Sequence, residues 1–88
     1  MRIKVYLRPK TVLILLARRN VGKGWLAEQV GVSRWTVSMW IAGKENPAEQ
    51  SRERIMDAFK GMGLSRGTKV GWDDLFQSVI EHSDTANV

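Results

Sequence analysis

Catalytic chemistry has few places to sit in this chain of 88 residues. It has one histidine, His82, and no cysteine, so a disulfide framework, a thiolate metal site and a histidine-rich metal cluster are excluded. Asp73 and Asp74 invite reading as a metal pair. They stand, however, at the start of a segment with helical spacing, where negative charge is favourable without any ligand. His82 falls in a polar tail and reads as a solvated side chain. What remains is cationic chemistry, and it is unevenly spread. Residues 1–44 hold nine Lys/Arg against one acid, Glu28, whereas residues 45–88 hold five against eight acids. A one-sided positive field is a footprint for a polyanion, although solubility and membrane contact also produce basic surfaces.

The scaffold for those cations must be small. Hydrophobic residues make up 43% and charged residues 26%, a composition that folds, but a chain this short supports one domain with no cleft between lobes. Simple enzymes are disfavoured on that ground, and a small nuclease lacks clustered carboxylates on the basic half. The longest apolar run, residues 12–17, is six residues, far short of the roughly 20 that span a bilayer. Arg18, Arg19 and Asn20 follow it directly, which does not fit a signal peptide, and a cytoplasmic location in a bacterial or phage-infected cell is expected.

Along the chain, Ile3, Val5 and Leu7 alternate with Arg2, Lys4 and Tyr6, the period of a short strand or extended arm. Pro9 suits the first turn of a helix running to Arg19, with Asn20 able to stop it in the left-handed conformation. The run from Val12 to Leu16 exceeds one helical stripe, so part of it must meet the arm or another subunit. A second helix over 23–30 presents Leu26, Ala27 and Val30 on one face and ends at Gly31. Ser33 caps a third helix over 34–42 that buries Val37, Trp40 and Ile41 and ends at Gly43. Asn46 and Pro47 read as cap and first residue of helix four, which carries Ile55, Met56 and Phe59 late. Residues 61–71, with four glycines, form a loop. A last helix over 72–81 buries Trp72, Leu75, Phe76 and Val79. Met56, Met62, Trp72 and Phe76 are read as core. The expected fold is all-α and five-helical: an arm at 1–8, the domain at 9–82 and a flexible tail at 83–88.

Residues 23–42 concentrate the function. Ala27 is small where a neighbouring helix crosses, Gly31 gives the turn a backbone freedom that a β-carbon penalises, and Val32 tucks between the helices. Burial of those faces leaves Arg34, Trp35, Ser38 and Met39 pointing outward. The sequence resembles the lambda-repressor-like helix-turn-helix family of phage and bacterial regulators. The resemblance is carried by LAEQVGVS at 26–33, TVSMW at 36–40, GK at 43–44 and NP at 46–47, and more loosely by WDDLF at 72–76.

The resemblance implies that the helix over 33–42 enters the major groove of double-stranded DNA and reads base edges from its leading residues. Arg34 matches a base-reading position, its forked donors suiting guanine O6 and N7, with a phosphate contact as the plainer alternative. Trp35 and Met39 match positions that pack on thymine methyls, while Trp35 could instead fold back or stabilise a dimer. Ser38 reaches a base, a phosphate or solvent. Lys23 matches a phosphate-contacting position at a helix start, where free amides favour an anion. Ser33, Thr36 and Lys44 are further phosphate candidates, Lys44 equally a solubility residue. Arg2, Lys4 and Arg8 either extend the contact or form a charged rim.

Two departures from the family pattern stand out. Leu16 and Ile41 occupy positions where many members place a buried Arg–Glu pair. Both charges are missing together, so the two apolar residues are expected near each other in the core. Glu49 and Arg52 charge the start of helix four, where relatives are often apolar. The expected function is sequence-specific DNA binding by a small repressor without cofactor or catalysis, as a homodimer on an operator with half-sites about 34 Å apart. The alternative is an antitoxin or adaptor using the acidic second half to hold a protein partner, since residues 71–88 carry four acids and no Lys or Arg.

Overall fold

The computed structural model describes residues 2–63 and 68–81. The expectations for His82 and the tail at 83–88 lie outside the described residues. The chain is mixed α/β, which corrects the all-α expectation. Strand β1 (Arg2–Leu7) is followed by helices α1 (Pro9–Arg19), α2 (Lys23–Val30), α3 (Arg34–Ile41) and α4 (Glu49–Ala58), then by a one-turn α5 (Trp72–Leu75) and strand β2 (Phe76–Glu81).

The correction falls on the last six of these residues. Phe76 and Val79 fit a helical face with Trp72 and Leu75, but Phe76, Ser78 and Ile80 equally share one side of a strand. Periodicity cannot choose between them over so short a segment. The partner decides: β1 alone would leave its backbone N–H and C=O groups unpaired, and β2 pairs with it antiparallel over all six residues, from Arg2 opposite Glu81 to Leu7 opposite Phe76. Burial along the ribbon is graded. Leu7 and Phe76 are core, Val5 is half-buried, and Ile3 and Ile80 at the far end are 62% and 55% exposed. Across the other face, Lys4 Nζ lies 3.4 Å from a Glu81 carboxylate oxygen, and the Tyr6 hydroxyl donates to the same carboxylate at 3.4 Å.

Local signals place the first three helices. Pro9 opens α1, and Asn20 closes it with φ 60°, its N–H donating to the Ala17 carbonyl. Of its long apolar run, Val12, Leu15 and Leu16 are buried, while Leu13 and Ile14 remain exposed. Leu16 belongs to the central core and Ile41 is half-buried against that core. Around them pack Leu26, Val30, Val37, Trp40, Ile55 and Phe59.

Helix α4 begins at Glu49, two residues later than read from Asn46–Pro47. Pro47 is instead fully buried in the core, so residues 46–48 run in without helical turns. Arg52 reaches back to donate to the Pro47 carbonyl at 2.9 Å, which gives that charged residue a structural partner. Trp72 also departs from its reading as core: it is 38% exposed, its ring 5.2 Å from that of Phe76. Met56 and Met62 are half-buried against the core. Asp74 accepts the Gly71 N–H at 2.7 Å, satisfying one donor at the start of α5. Arg8 is committed to the same junction, its Nε donating to the carbonyls of Asp73 at 2.8 Å and Phe76 at 3.0 Å. No helix among the described residues is long and apolar enough to cross a membrane.

Candidate nucleic-acid interface

Helices α2 and α3 form the unit that carries the candidate residues. The end of α2 turns at Gly31, which has φ 85°, and the N–H groups of Gly31 and Val32 both donate to the Ala27 carbonyl, at 2.8 and 3.0 Å. That paired closure swings the chain sharply toward α3. Arg54, from α4, braces the corner from behind: its Nη1 donates to the Val30 carbonyl at 2.9 Å, where the unpaired carbonyls of α2 favour a cation. A β-carbon at Gly31 would stand 3.1 Å from that same Nη1 in a left-handed backbone. Gly31→Ala is therefore expected to destabilise the fold by about 1–2 kcal/mol, measurable by urea unfolding. Arg54 carries no sequence signal for this role, because its partner is 24 residues away and its type and spacing read as solvated surface.

Ser33 caps α3 as its sequence position indicates. Its Oγ accepts the Thr36 N–H at 3.1 Å, and the two hydroxyl oxygens are 2.9 Å apart. One of the two hydroxyl protons is used in that contact, so the other is available for an acceptor outside the helix. Ser33→Ala should cost about 1 kcal/mol of stability by loss of the cap, read as a lowered thermal midpoint.

The face of α3 opposite Val37 and Trp40 carries the remaining candidates. Arg34 is exposed, Ser38 and Met39 are half-buried, and Trp35 is 62% exposed. Helical spacing stacks Arg34 with Ser38 and Trp35 with Met39, so the four share one outward stripe. Trp35 does not fold back into the core. Leaving that much of a tryptophan in water forgoes on the order of 3 kcal/mol of burial. Lys44 is exposed just beyond Gly43, and its N–H donates to the Met39 carbonyl at 3.0 Å, fixing it to the far end of α3.

Lys23 opens α2 and is half-buried. Its helix starts from Gly22, which supplies no side-chain cap, and a β-carbon at Gly22 or Gly24 would meet nothing within 4 Å. The backbone there is open to an approaching group, with no acidic residue in the first turn. Trp25, two residues after Lys23, is held from two sides: Arg19 stacks over its ring at 4.9 Å and Phe59 lies 6.1 Å away. That pairing fixes the start of α2 to α1 and to the end of α4.

The electrostatics are equally one-sided. The ion pair among the described residues is Lys4 with Glu81, so Lys23, Arg34 and Lys44 have no carboxylate partner there. Arg2 is exposed at the end of the ribbon, while Lys4 and Arg8 are engaged in it. No group of three His, Asp or Glu residues able to hold a metal comes together among the described residues. What the arrangement offers is an exposed helix end with a forked cation, hydroxyls and an aromatic plane, with Lys44 just past the far end of that helix and Lys23 at the start of α2. No family model, curated relative or solved structure matches the chain.

Proposed function

We propose that this protein binds double-stranded DNA sequence-specifically as a small transcriptional regulator, inserting the leading half of α3 into the major groove. The observation that carries the reading is the outward stripe of Arg34, Trp35, Ser38 and Met39 on a helix braced by α2. An α-helix fits the major groove, and an arginine at its leading end can donate two bonds to one guanine. Lys23, Lys44 and the Ser33–Thr36 hydroxyl pair supply phosphate contacts that set the register. A repressor that blocks a promoter needs no further chemistry. One such domain makes few base contacts, so two copies act on a two-fold operator.

Selection of bound sequences from a random duplex pool at about 150 mM salt, where screening is substantial, tests the proposal. Enrichment of a palindrome is expected. A pool that emerges unenriched contradicts sequence-specific binding.

A second reading, an adaptor that holds a protein partner, draws on a different surface. Glu49, Glu53 and Asp57 recur every fourth residue along α4, beside Met56 and the half-exposed Trp72, and line an open groove with Arg52. The two readings are separable, because variants on α3 leave that groove untouched.

A further inference from the structure

We infer that two copies of this chain associate by antiparallel pairing of their β2 strands, edge to edge. The sheet has two strands, and among the described residues no third strand joins either side. Among the described residues, both outer edges therefore present backbone groups with no strand partner. A two-stranded ribbon is marginal by itself and usually gains strands or cover.

The hydrogen-bond pattern identifies what β2 presents. The Arg8 N–H donates to the Leu75 carbonyl at 2.7 Å, in register with the ladder. Antiparallel pairs alternate between bonded and non-bonded, so Tyr6–Gln77, Lys4–Val79 and Arg2–Glu81 exchange the ladder bonds. Leu7–Phe76, Val5–Ser78 and Ile3–Ile80 are the non-bonded pairs, whose side chains lie closer together. Consequently the N–H and C=O groups of Ser78 and Ile80 face away from β1, toward the open edge. Ser78 and Ile80 are exposed, and Ile80 packs beside the equally exposed Ile3 to make an apolar end to the ribbon.

The two edges are not equivalent. Chains protect open edges against pairing with charge, lysine above all, or with proline. β1 carries Arg2 and Lys4 and lies against α3. Two β1 strands pairing antiparallel would bring those cations together. β2 reads FQSVIE, with no Lys, Arg or Pro, and Glu81 is its one charge. A two-fold register centred on Val79 sets each Ser78 opposite Ile80 of the second copy and each Glu81 opposite a neutral Gln77. No like charges meet, every outward N–H and C=O at 78 and 80 gains a partner, and both apolar ends lie on the same face of a four-stranded sheet. A second copy is thus a better occupant than a foreign strand, for which the edge offers no selective charge.

The proposal rests on the DNA-binding reading for its purpose, since two half-sites need two readers, but its test needs no DNA. Sedimentation of the full chain across a wide concentration range should give a species of twice the 10.0 kDa chain mass that dissociates on dilution. Ser78→Pro removes an edge donor and none of the β1–β2 bonds, and should weaken self-association roughly tenfold to a hundredfold with an unchanged circular dichroism spectrum. Ser78→Ala should associate like the parent. Should the proline variant misfold, Ile80→Lys places a charge at the same exposed edge and should yield monomer. A parent chain that stays monomeric at every concentration overturns the proposal. Dimers that persist in both Ser78→Pro and Ile80→Lys overturn it as well. A monomer that still enriches one DNA sequence defeats the pairing alone, and a dimer that enriches none defeats the DNA reading alone.

Discussion

Replacing Arg34 and Lys23 together with alanine is expected to abolish sequence-specific duplex binding at about 150 mM salt, a regime where only short-range charge contacts persist, while leaving the unfolding curve close to that of the parent. Arg34 is exposed and makes no ion pair among the described residues, so its removal orphans nothing inside the fold. Loss of a bidentate guanine contact forfeits about 1–3 kcal/mol of discrimination at each half-site. Lys23 acts differently, through phosphate, and its loss weakens all sequences about equally and lowers the salt slope by about 1 per bound copy. Fluorescence anisotropy of a labelled duplex over a salt series separates the two single variants. Undiminished affinity in the double variant would place binding elsewhere on the chain.

Phe59→Ala should have the largest effect on stability. The ring is fully buried, follows the last turn of α4 and lies 6.1 Å from Trp25 at the start of α2. Truncating a buried phenylalanine costs about 3–5 kcal/mol through lost transfer energy and the cavity left behind. Small domains have about 5–15 kcal/mol in total, so much of the margin goes in one substitution. The cavity would open beneath Trp25, in the first turn of α2 that Lys23 opens. Weaker DNA binding is therefore expected even in molecules that remain folded. Urea unfolding followed by circular dichroism gives the first effect, and binding measured well below the new thermal midpoint gives the second. A loss below about 1 kcal/mol would mean that the α2–α4 contact is looser than its burial implies.

How much of this was readable beforehand depended on how far away the deciding partner lay. Pro9, Asn20, Gly31 and Ser33 act on backbone within one turn of themselves, and the limits of α1, the end of α2 and the start of α3 follow from them directly. The outward stripe was readable for the same reason, because burying Val37 and Trp40 leaves Arg34 and Trp35 no other side. Residues 76–81 behaved otherwise. Their pattern suits a helix or a strand, and the choice was made by β1, some seventy residues earlier in the chain. Pro47 misled in a related way, its ring serving the core rather than the first turn of α4. Arg54 at the Val30 carbonyl and Arg8 at the α5–β2 junction are long-range bonds from residues that read as surface charge. The proposed contact of the outward face of α3 lies outside the molecule, and only that face's shape and charge are written in this chain.

The most direct measurement of the central claim is an amide chemical-shift titration of the full chain with a short mixed-sequence duplex at low salt, where charge-driven binding is strongest. The largest shifts should fall on residues 33–39, with a second group at 22–24 and a third at 43–44, and they should retreat as salt is added. Shifts confined to α4 and α5, or none that saturate, would contradict the account.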